Sequence, residues 1–175
     1  MRKVCYSVAM SLDGYIAGSN GEYDWIAMDL DIDFAAFTAR IDTLLAGRKP
    51  WRVMQGAGGM PGVKTYGFSK TLASGDCEDA VLSDSPVDTI DALKAESGKD
   101  IWQFGGGELF RSLLNNGLLD SIEVAVIRVL LGDGVPLLPS PGPRAPVKLV
   151  RQRLYEKTGI VLLNYEFVSG TSGSS

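Results

Sequence analysis

Apolar residues are distributed along the chain in two alternating patterns. Continuous apolar runs of about 4–8 residues are typical of buried strands, and apolar residues three and four positions apart indicate a helix with one buried face. Residues 4–12 (VCYSVAMSL) therefore predict a first strand, which a turn at Asp13 ends. From Asp31 onward the pattern predicts a helix that leads into a short strand at residues 42–47 (DTLLAG). The apolar positions at helical spacing are Phe34, Phe37, Ile41 and Leu44.

Two helices in the middle of the chain are marked by the residues at their ends. Ser85 is placed to cap the first of them, with Pro86 at the first helical position. The second helix follows three consecutive glycines at residues 105–107 and is predicted to end at Gly117, a residue type that favours the position after a helix. Two short apolar strands, at residues 65–69 and 79–83, precede the first of these helices. A third, at residues 101–104, precedes the second.

Strands alone make up the last part of the chain. Residues 121–131 (SIEVAVIRVLL) predict one long strand, and residues 148–155 and 159–168 predict a hairpin. Strand–helix alternation followed by such strands predicts an α/β fold, a mostly parallel sheet with helices on its faces and antiparallel strands completing it. No change in composition marks a second domain, so residues 1–168 are expected to form one domain and residues 169–175 (SGTSGSS) a flexible tail.

The charge and composition exclude several classes of protein. The net charge is −4 and the Lys and Arg residues form no basic run, which argues against nucleic-acid and anionic-membrane partners. No apolar run approaches the roughly 20 residues of a membrane-spanning helix. The N-terminal residues lack a signal-peptide pattern, so a cytoplasmic location is expected.

The chain contains no histidine and only two cysteines, Cys5 and Cys77. Histidine-dependent hydrolytic triads and the common histidine metal sites are therefore excluded, and no metal site is expected. Any acid–base step must use a carboxylate, Lys, Tyr, Cys or water.

The triple glycine, Gly105, Gly106 and Gly107, allows two interpretations. It is either a tight turn or a phosphate cradle, because glycines permit close backbone approach and the N–H groups at a helix start favour an anion. Two other loops that follow predicted strands carry phosphate-binding residue types, although each alone fits a solvated basic turn equally well. They contain Gly47, Arg48 and Lys49 in one loop and Ser69 and Lys70 in the other.

The order of these motifs resembles the dihydrofolate reductase-like superfamily. Within it, the chain is similar to the reductase domain of the bifunctional deaminase-reductase of riboflavin biosynthesis. No histidine or cysteine pair of a zinc deaminase is present, so only the reductase half is expected. The motifs that carry the resemblance are SLDGYIAG (11–18), LLAGRKPW (44–51), YGFSKTL (66–72), FGGGELF (104–110) and GLLDSIEVAVIRVLLGDGVPLLP (117–139).

The resemblance implies a three-layer fold with a mixed central sheet of about eight strands, a homodimer, and NADPH as the cofactor. One departure is Pro50, where the family often has a threonine; proline offers a phosphate neither a hydroxyl nor an N–H. The implied cofactor contacts are Ala9 and Ile16 at the nicotinamide, Gly47, Arg48 and Lys49 at the adenosine-side phosphates, Ser69 and Lys70 at the adenosine ribose and its 2′-phosphate, and Gly105, Gly106, Gly107, Glu108 and Leu109 at the pyrophosphate.

The resemblance also suggests residues on the substrate side. Dihydrofolate reductases place a carboxylate on the first helix, and Asp31 is the nearest match, with Asp29 and Asp33 also open. The alternative is that these aspartates only favour the helix N-terminus electrostatically. Asp13 is either a substrate contact or a turn residue, and Trp25 either stacks on a flat heterocycle or anchors the core or a lid.

The expected function is NADPH-dependent hydride transfer to a small polar heterocycle, pyrimidinone- or pterin-like, or to a carbonyl compound. Three alternatives stay open: true dihydrofolate reduction, a nucleotide- or drug-binding protein without catalysis, and a flavin-dependent protein.

Overall fold

The structure is a computed structural model that describes residues 1–47, 50, 60–68 and 80–168. The predicted tail at residues 169–175 lies outside these ranges. The strands are β1 (Val4–Ser11), β2 (Tyr15–Ala17), β3 (Ile41–Gly47), β4 (Lys64–Phe68), β5 (Ala80–Ser83), β6 (Asp100–Phe104), β7 (Ser121–Ile127), β8 (Val135–Pro136), β9 (Val147–Tyr155) and β10 (Ile160–Phe167). The helices are α1 (Phe34–Ala39), α2 (Pro86–Ala95) and α3 (Gly107–Asn115).

Eight of these strands form one sheet in the order β5-β4-β3-β6-β1-β7-β10-β9. β1 lies near its centre and is parallel to both β6 and β7. The strands β3, β4 and β5 extend the parallel part, whereas β10 pairs antiparallel with β7 and with β9. The predicted α/β fold with a mixed sheet of about eight strands is confirmed.

One face of the sheet is covered by α2 and α3. Ser85 caps α2 as predicted, because its hydroxyl accepts a hydrogen bond from the Asp88 N–H at 3.4 Å. Leu113 of α3 is fully buried, and the Phe110 ring stacks on Tyr6 with the ring centroids 4.4 Å apart. This apolar contact between helices and strands forms the main core.

The opposite face is covered by α1 and is called the α1 face below. Phe37 of α1 packs edge-to-face on Trp102 of β6, with the ring centroids 4.9 Å apart. Trp102 is buried together with Leu44 of β3 in a second apolar cluster. Helices therefore cover both faces, which gives the three layers that the resemblance implied. Within the described ranges, no helix is long and apolar enough to cross a membrane.

α1 is shorter than the predicted helix. It ends at Ala39, and Ile41 and Leu44, two of the positions at helical spacing, belong to β3. Both faces of β3 are buried, so its residues are apolar on both faces and do not alternate with polar ones. Ile41 and Leu44 therefore continue the helical spacing of Phe34 and Phe37 only by coincidence.

The predicted strand at residues 121–131 is also shorter, since β7 ends at Ile127. Just beyond it the Val129 N–H donates to the Ile127 carbonyl at 2.8 Å, and the Val129 carbonyl accepts from the Leu12 N–H at 2.8 Å. These contacts turn the chain out of the sheet toward the small ribbon of β2 and β8, which is too short for sequence periodicity to reveal.

Candidate functional site

Four neighbouring parallel strands end at one edge of the sheet. In spatial order they are β4, β3, β6 and β1, and their last residues are Phe68, Gly47, Phe104 and Ser11. The carboxyl edge of an open parallel sheet is where ligands bind in α/β proteins. The topology therefore places the starts of all three predicted phosphate loops at the same edge. Arg48, Lys49, Ser69 and Lys70 themselves lie outside the described residues.

The triple glycine connects β6 to α3 through left-handed backbone. Gly105 has φ +61° and Gly106 has φ +88°, values that side chains other than glycine rarely adopt. Gly107 is required for a different reason. A Cβ built there would come within 2.8 Å of the Pro139 ring and 3.0 Å of the Pro136 carbonyl. The loop is thus a tight turn. Because Gly105 and Gly106 have no Cβ, no side chain of their own shields the backbone of the turn.

Gln103, which the sequence analysis missed, fixes the orientation of this turn. It is fully buried, and its side-chain amide donates to the carbonyls of Gly105 at 3.1 Å and Gly106 at 3.4 Å. In a trans peptide the N–H points opposite to the C=O. Because Gln103 draws both carbonyls inward, the N–H groups of Gly106 and Gly107 point away from it. The sequence signal was a single polar residue within the apolar strand IWQF.

The first residues of α3 continue this row of backbone donors. Gly106 caps the helix without any side-chain hydrogen bond, and the first N–H groups of a helix lack partners within it. Glu108 is exposed and pairs with Arg111, with 2.5 Å between the charged atoms, while Leu109 is buried in the core. Both residues therefore offer this edge their backbone rather than their side chains.

Pro50 lies directly beside the glycines. Its ring Cγ is 3.5 Å from the Cβ position of both Gly105 and Gly106, an ordinary van der Waals distance. Pro50 therefore forms an apolar wall of the loop.

The two residues that the resemblance placed at the nicotinamide lie on separate elements. Ala9 is on the α1 face of β1, packed against the buried cluster of Ile127, Tyr155 and Ile160. Ile16 is the middle residue of β2, half-buried in the small ribbon. A hydrogen bond from the Tyr15 N–H to the Ser11 hydroxyl, 2.9 Å, ties the start of β2 to the end of β1.

The Asp13 carboxylate holds the loop after β7 in place. It accepts hydrogen bonds from the Ser11 hydroxyl at 2.6 Å and from the backbone N–H groups of Leu131 at 3.1 Å and Gly132 at 2.7 Å. The Ser11 hydrogen bond, followed by the backbone donors, lowers the pKa of Asp13 to about 2. These contacts account for Asp13 as a turn and loop residue, and its role toward a substrate stays a prediction.

Trp25 packs on the same cluster as Ala9. Its indole N–H donates to the Glu22 carbonyl at 3.1 Å, and its ring is half-buried on the cluster around Ile127. This arrangement matches the anchor interpretation of Trp25, and stacking on a substrate stays a prediction.

The three aspartates before α1 are all engaged by the protein. Asp29 is buried and accepts from the Thr158 hydroxyl at 2.7 Å, the contact that most lowers its pKa. Asp31 forms an ion pair with Lys157 at 2.9 Å, and Asp33 caps α1 by accepting from the Ala36 N–H at 2.8 Å. The structure thus ties Asp29 and Asp31 to the turn between β9 and β10.

Comparison with known proteins places the chain in a family. The family model of the RibD C-terminal domain matches residues 70–161. The chain is 32% identical over 186 residues to the uncharacterized protein YyaP of Bacillus subtilis, covering 95% of both chains.

Solved structures share the fold. A putative riboflavin biosynthesis protein from Shewanella sp. PV-4 superimposes with a TM-score of 0.81 at 24% identity, over 95% of this chain and 99% of the other. A diaminohydroxyphosphoribosylaminopyrimidine deaminase/5-amino-6-(5-phosphoribosylamino)uracil reductase from Thermotoga maritima gives a TM-score of 0.67 at 16% identity, over 95% of this chain and 57% of the other. The matched family model and the 32% identical relative show that the chain belongs to the RibD C-terminal domain family, on a dihydrofolate reductase-like fold.

Proposed function

We propose that the protein is an NADPH-dependent reductase of a small, flat, polar heterocycle of pyrimidinone or pterin type, or of a carbonyl compound. The observation that carries the proposal is the outward-facing row of N–H groups from Gly106 into α3, at the carboxyl edge of the parallel strands. Membership of the RibD C-terminal family supports a pyrimidine-type substrate.

The glycine turn fits a dinucleotide pyrophosphate. Because Gly105 and Gly106 have no side chain, a phosphate group can come close to their backbone. The N–H groups at a helix start stabilise such an anion by hydrogen bonding and by the helix dipole. In the sequence, Arg48, Lys49 and Lys70 supply cations that suit further phosphates on the loops after β3 and β4. Pro50 contributes only apolar contact, so the backbone N–H groups carry the pyrophosphate contacts in this part of the site.

The protein's own contribution to the reaction is orientation. NADPH, when bound, supplies the hydride, and the reduced substrate atom must lie next to the nicotinamide. Ala9 is half-buried on the α1 face, and the resemblance to the family implies that the nicotinamide lies beside it. Holding two rings in one geometry removes much of the entropic barrier to hydride transfer. The proton that accompanies the hydride needs a donor, and Asp31 stays a proposal for that donor.

Calorimetric titration with NADPH and, separately, with NADH tests the proposal. We expect binding that favours NADPH at least about tenfold, because a cation pairing with the 2′-phosphate contributes roughly 1.5–3 kcal/mol. Arg48→Ala should remove most of this preference and leave NADH binding almost unchanged. No binding of either dinucleotide would contradict the proposal. Tight NADPH binding without turnover of pyrimidinones, pterins or small carbonyl compounds would instead identify a non-catalytic binding protein.

We also propose a homodimer that uses the edge strand β9. Eight of its nine residues are exposed, with Val150 and Leu154 more than half accessible. A long edge with apolar side chains is a template for pairing with another chain. Sedimentation equilibrium at micromolar concentration should give twice the monomer mass, and Val150→Lys should shift the equilibrium to monomer. A single monomeric species at all concentrations would contradict the homodimer.

A further inference from the structure

Two polar side-chain atoms are buried beneath α3 without a hydrogen-bond partner among the described residues. They are the Tyr6 hydroxyl and the Gln103 side-chain carbonyl oxygen. Both residues are fully buried, with 0% of their surface exposed. A buried polar group without a partner costs free energy, and a buried tyrosine hydroxyl usually has one. These two atoms therefore require a polar partner inside the core.

The strand register makes Tyr6 and Gln103 neighbours. Tyr6 of β1 pairs directly with Gln103 of β6, so both side chains project from the same face of the sheet. On the other side of β6, Gln103 pairs with Leu45 of β3, whose side chain is entirely apolar. Of the two side chains that flank Gln103 in this row of the sheet, Tyr6 is therefore the polar one.

The glycine turn fixes which way the Gln103 amide faces. The amide nitrogen donates to the carbonyls of Gly105 at 3.1 Å and Gly106 at 3.4 Å. If nitrogen and oxygen were exchanged, the oxygen would face two other acceptors and make neither hydrogen bond. The Gln103 carbonyl oxygen is therefore directed away from the turn and must find its donor within the core.

The Tyr6 hydroxyl is the complementary group. Burial raises the pKa of Tyr6, so the hydroxyl stays protonated and can donate a hydrogen bond. Adjacent strands lie about 4.8 Å apart. One water molecule, with a hydrogen bond of about 2.8 Å on each side, spans this separation. Buried waters in proteins typically occupy such positions, between polar groups that the chain itself leaves unsatisfied.

Phe110 connects the same groups from the helix side. Its ring stacks on Tyr6 with the ring centroids 4.4 Å apart, and its N–H donates to the Gly106 carbonyl at 3.0 Å. The Gly106 carbonyl thus accepts from both Phe110 and Gln103. A hydrogen-bonded bridge between Tyr6 and Gln103 closes these contacts into a ring that joins β1, β6 and the first turn of α3.

We propose that one buried water molecule bridges the Tyr6 hydroxyl and the Gln103 carbonyl oxygen, and that Tyr6 thereby positions the glycine turn. The water accepts from Tyr6 and donates to Gln103, whose amide holds the carbonyls of Gly105 and Gly106. Tyr6 is a positioning residue, because it acts through Gln103 on the N–H groups of the turn. The inference rests on the proposed function only where it concerns the dinucleotide, since the water belongs to the ligand-free protein.

Crystal structures of the ligand-free wild-type protein and of Tyr6→Phe, at a resolution that shows ordered water, test the bridge. We expect a water within hydrogen-bond distance of both atoms in the wild type and its loss in Tyr6→Phe. The variant keeps the ring that stacks on Phe110, so it should fold, and cooperative thermal unfolding checks this. A direct hydrogen bond between Tyr6 and Gln103, or a dry contact without water, would overturn the inference.

Calorimetric titration with NADPH and NADH measures the effect on the turn. Tyr6→Phe should weaken both dinucleotides equally, by about three- to tenfold, because the pyrophosphate is common to both. Tyr165→Phe is the matched control. Tyr165 lies on the same face and in the same row, two strands from Tyr6, since Ile122 pairs with both. This control should keep the water and bind both dinucleotides within about twofold of wild type.

A double-mutant cycle separates positioning through Gln103 from a general loss of stability. Gln103→Met removes the amide that links the water to the turn, so adding Tyr6→Phe should change NADPH affinity by less than about twofold. A three- to tenfold loss in both backgrounds would contradict the positioning role. If neither dinucleotide binds the wild-type protein, the proposed function fails, while the crystal structures still decide the water. The amide chemical shifts of Gly106 and Gly107 then replace affinity as the readout of the cycle.

Discussion

Gly106→Val is expected to weaken NADPH binding at least about 100-fold while the domain stays folded. The variant adds a branched side chain to the turn beside Pro50, whose ring Cγ is 3.5 Å from the Cβ position, and strains backbone at φ +88°, so the turn no longer holds its N–H groups in place. Displacing the pyrophosphate from two backbone N–H groups removes two charge-assisted hydrogen bonds, each contributing roughly 1.5–3 kcal/mol. A total of about 3 kcal/mol corresponds to a 100-fold change in Kd. Calorimetric titration of the variant with NADPH measures it.

Gly117→Val is a matched control for the backbone strain. Gly117 lies just beyond the other end of α3, has φ +65°, and a Cβ there would meet no atom within 4 Å. Both variants should lose about 1–3 kcal/mol of stability, since each forces a side chain into left-handed backbone. Only Gly106→Val should lose the dinucleotide. If NADPH bound both variants equally well, the pyrophosphate would have to lie away from the glycine turn.

The elements around this turn could be predicted because their local signals agree. IWQF is a short apolar run, the glycines interrupt it, and the following residues have one clear apolar helical face that Gly117 ends. The secondary structure of a segment can be predicted from one sequence when its local preferences agree with one another. Ser85 at the start of α2 belongs to the same class, because a cap involves only residues three positions apart.

The direction of the turn could not be predicted in the same way. It depends on the Gln103 amide reaching back to the carbonyls of Gly105 and Gly106. A single glutamine in an apolar strand does not show which face of the sheet it occupies. That face is set by the register with β1, where Gln103 is opposite Tyr6, about a hundred residues earlier in the chain.

The contacts of Asp31 and of the carboxylate Glu123 on the α1 face depended even more on long-range pairing. The prediction of Asp31 came from motif spacing, whereas its observed partner Lys157 is 126 positions away. Ser7 and Glu123 are 116 positions apart, and Glu123 and Asn164 are 41 apart. Such groups meet only when the strand order is known, because side chains alternate between faces and a shift of one residue reverses them. Periodicity indicated that residues 121–131 form a strand, but not which side Glu123 faces.

Arg2→Met is expected to lower the free energy of unfolding by about 3 kcal/mol. The Arg2 side chain is only 4% exposed although it is charged. Its guanidinium forms an ion pair with Asp42 and donates to the Lys99 carbonyl at 2.7 Å and to the Thr43 hydroxyl at 2.5 Å. Removing one partner of a buried ion pair costs about 3–5 kcal/mol. The lower end applies because the Asp42 side chain is still about one third exposed.

The lack of a side chain at Gly98 leaves space for the Arg2 guanidinium. A Cβ at Gly98 would come within 3.0 Å of the guanidinium carbon of Arg2 and 2.8 Å of an Asp42 carboxylate oxygen. Arg2 thereby ties the segment before β1 to the start of β3 and to the loop before β6, at the edge of the sheet opposite the glycine turn. The cofactor site should therefore be unaffected, and NADPH affinity of the folded variant should stay within about twofold of wild type.

Thermal and denaturant unfolding measure the loss, which should appear as a Tm lower by about 6–12 °C for a domain of this size. Lys3→Met is the matched control: its side chain is 61% exposed and its ion pair with Glu166 spans 3.7 Å, so less than about 1 kcal/mol is expected. Equal losses in both variants would contradict the role of Arg2.

The pH dependence separates the charge of Arg2 from its packing. Burial raises the pKa of Asp42, but hydrogen bonds from the Lys99 N–H and the Thr43 hydroxyl, together with the Arg2 charge, outweigh burial and lower it. A carboxylate with a lowered folded-state pKa contributes stability above its unfolded pKa of about 3.9 and loses that contribution as the pH falls. The difference in stability between wild type and Arg2→Met should therefore be full at pH 7 and shrink below about pH 4. If it stayed constant in acid, the packing of the Arg2 side chain, not its pairing with Asp42, would be what stabilises this end of the sheet.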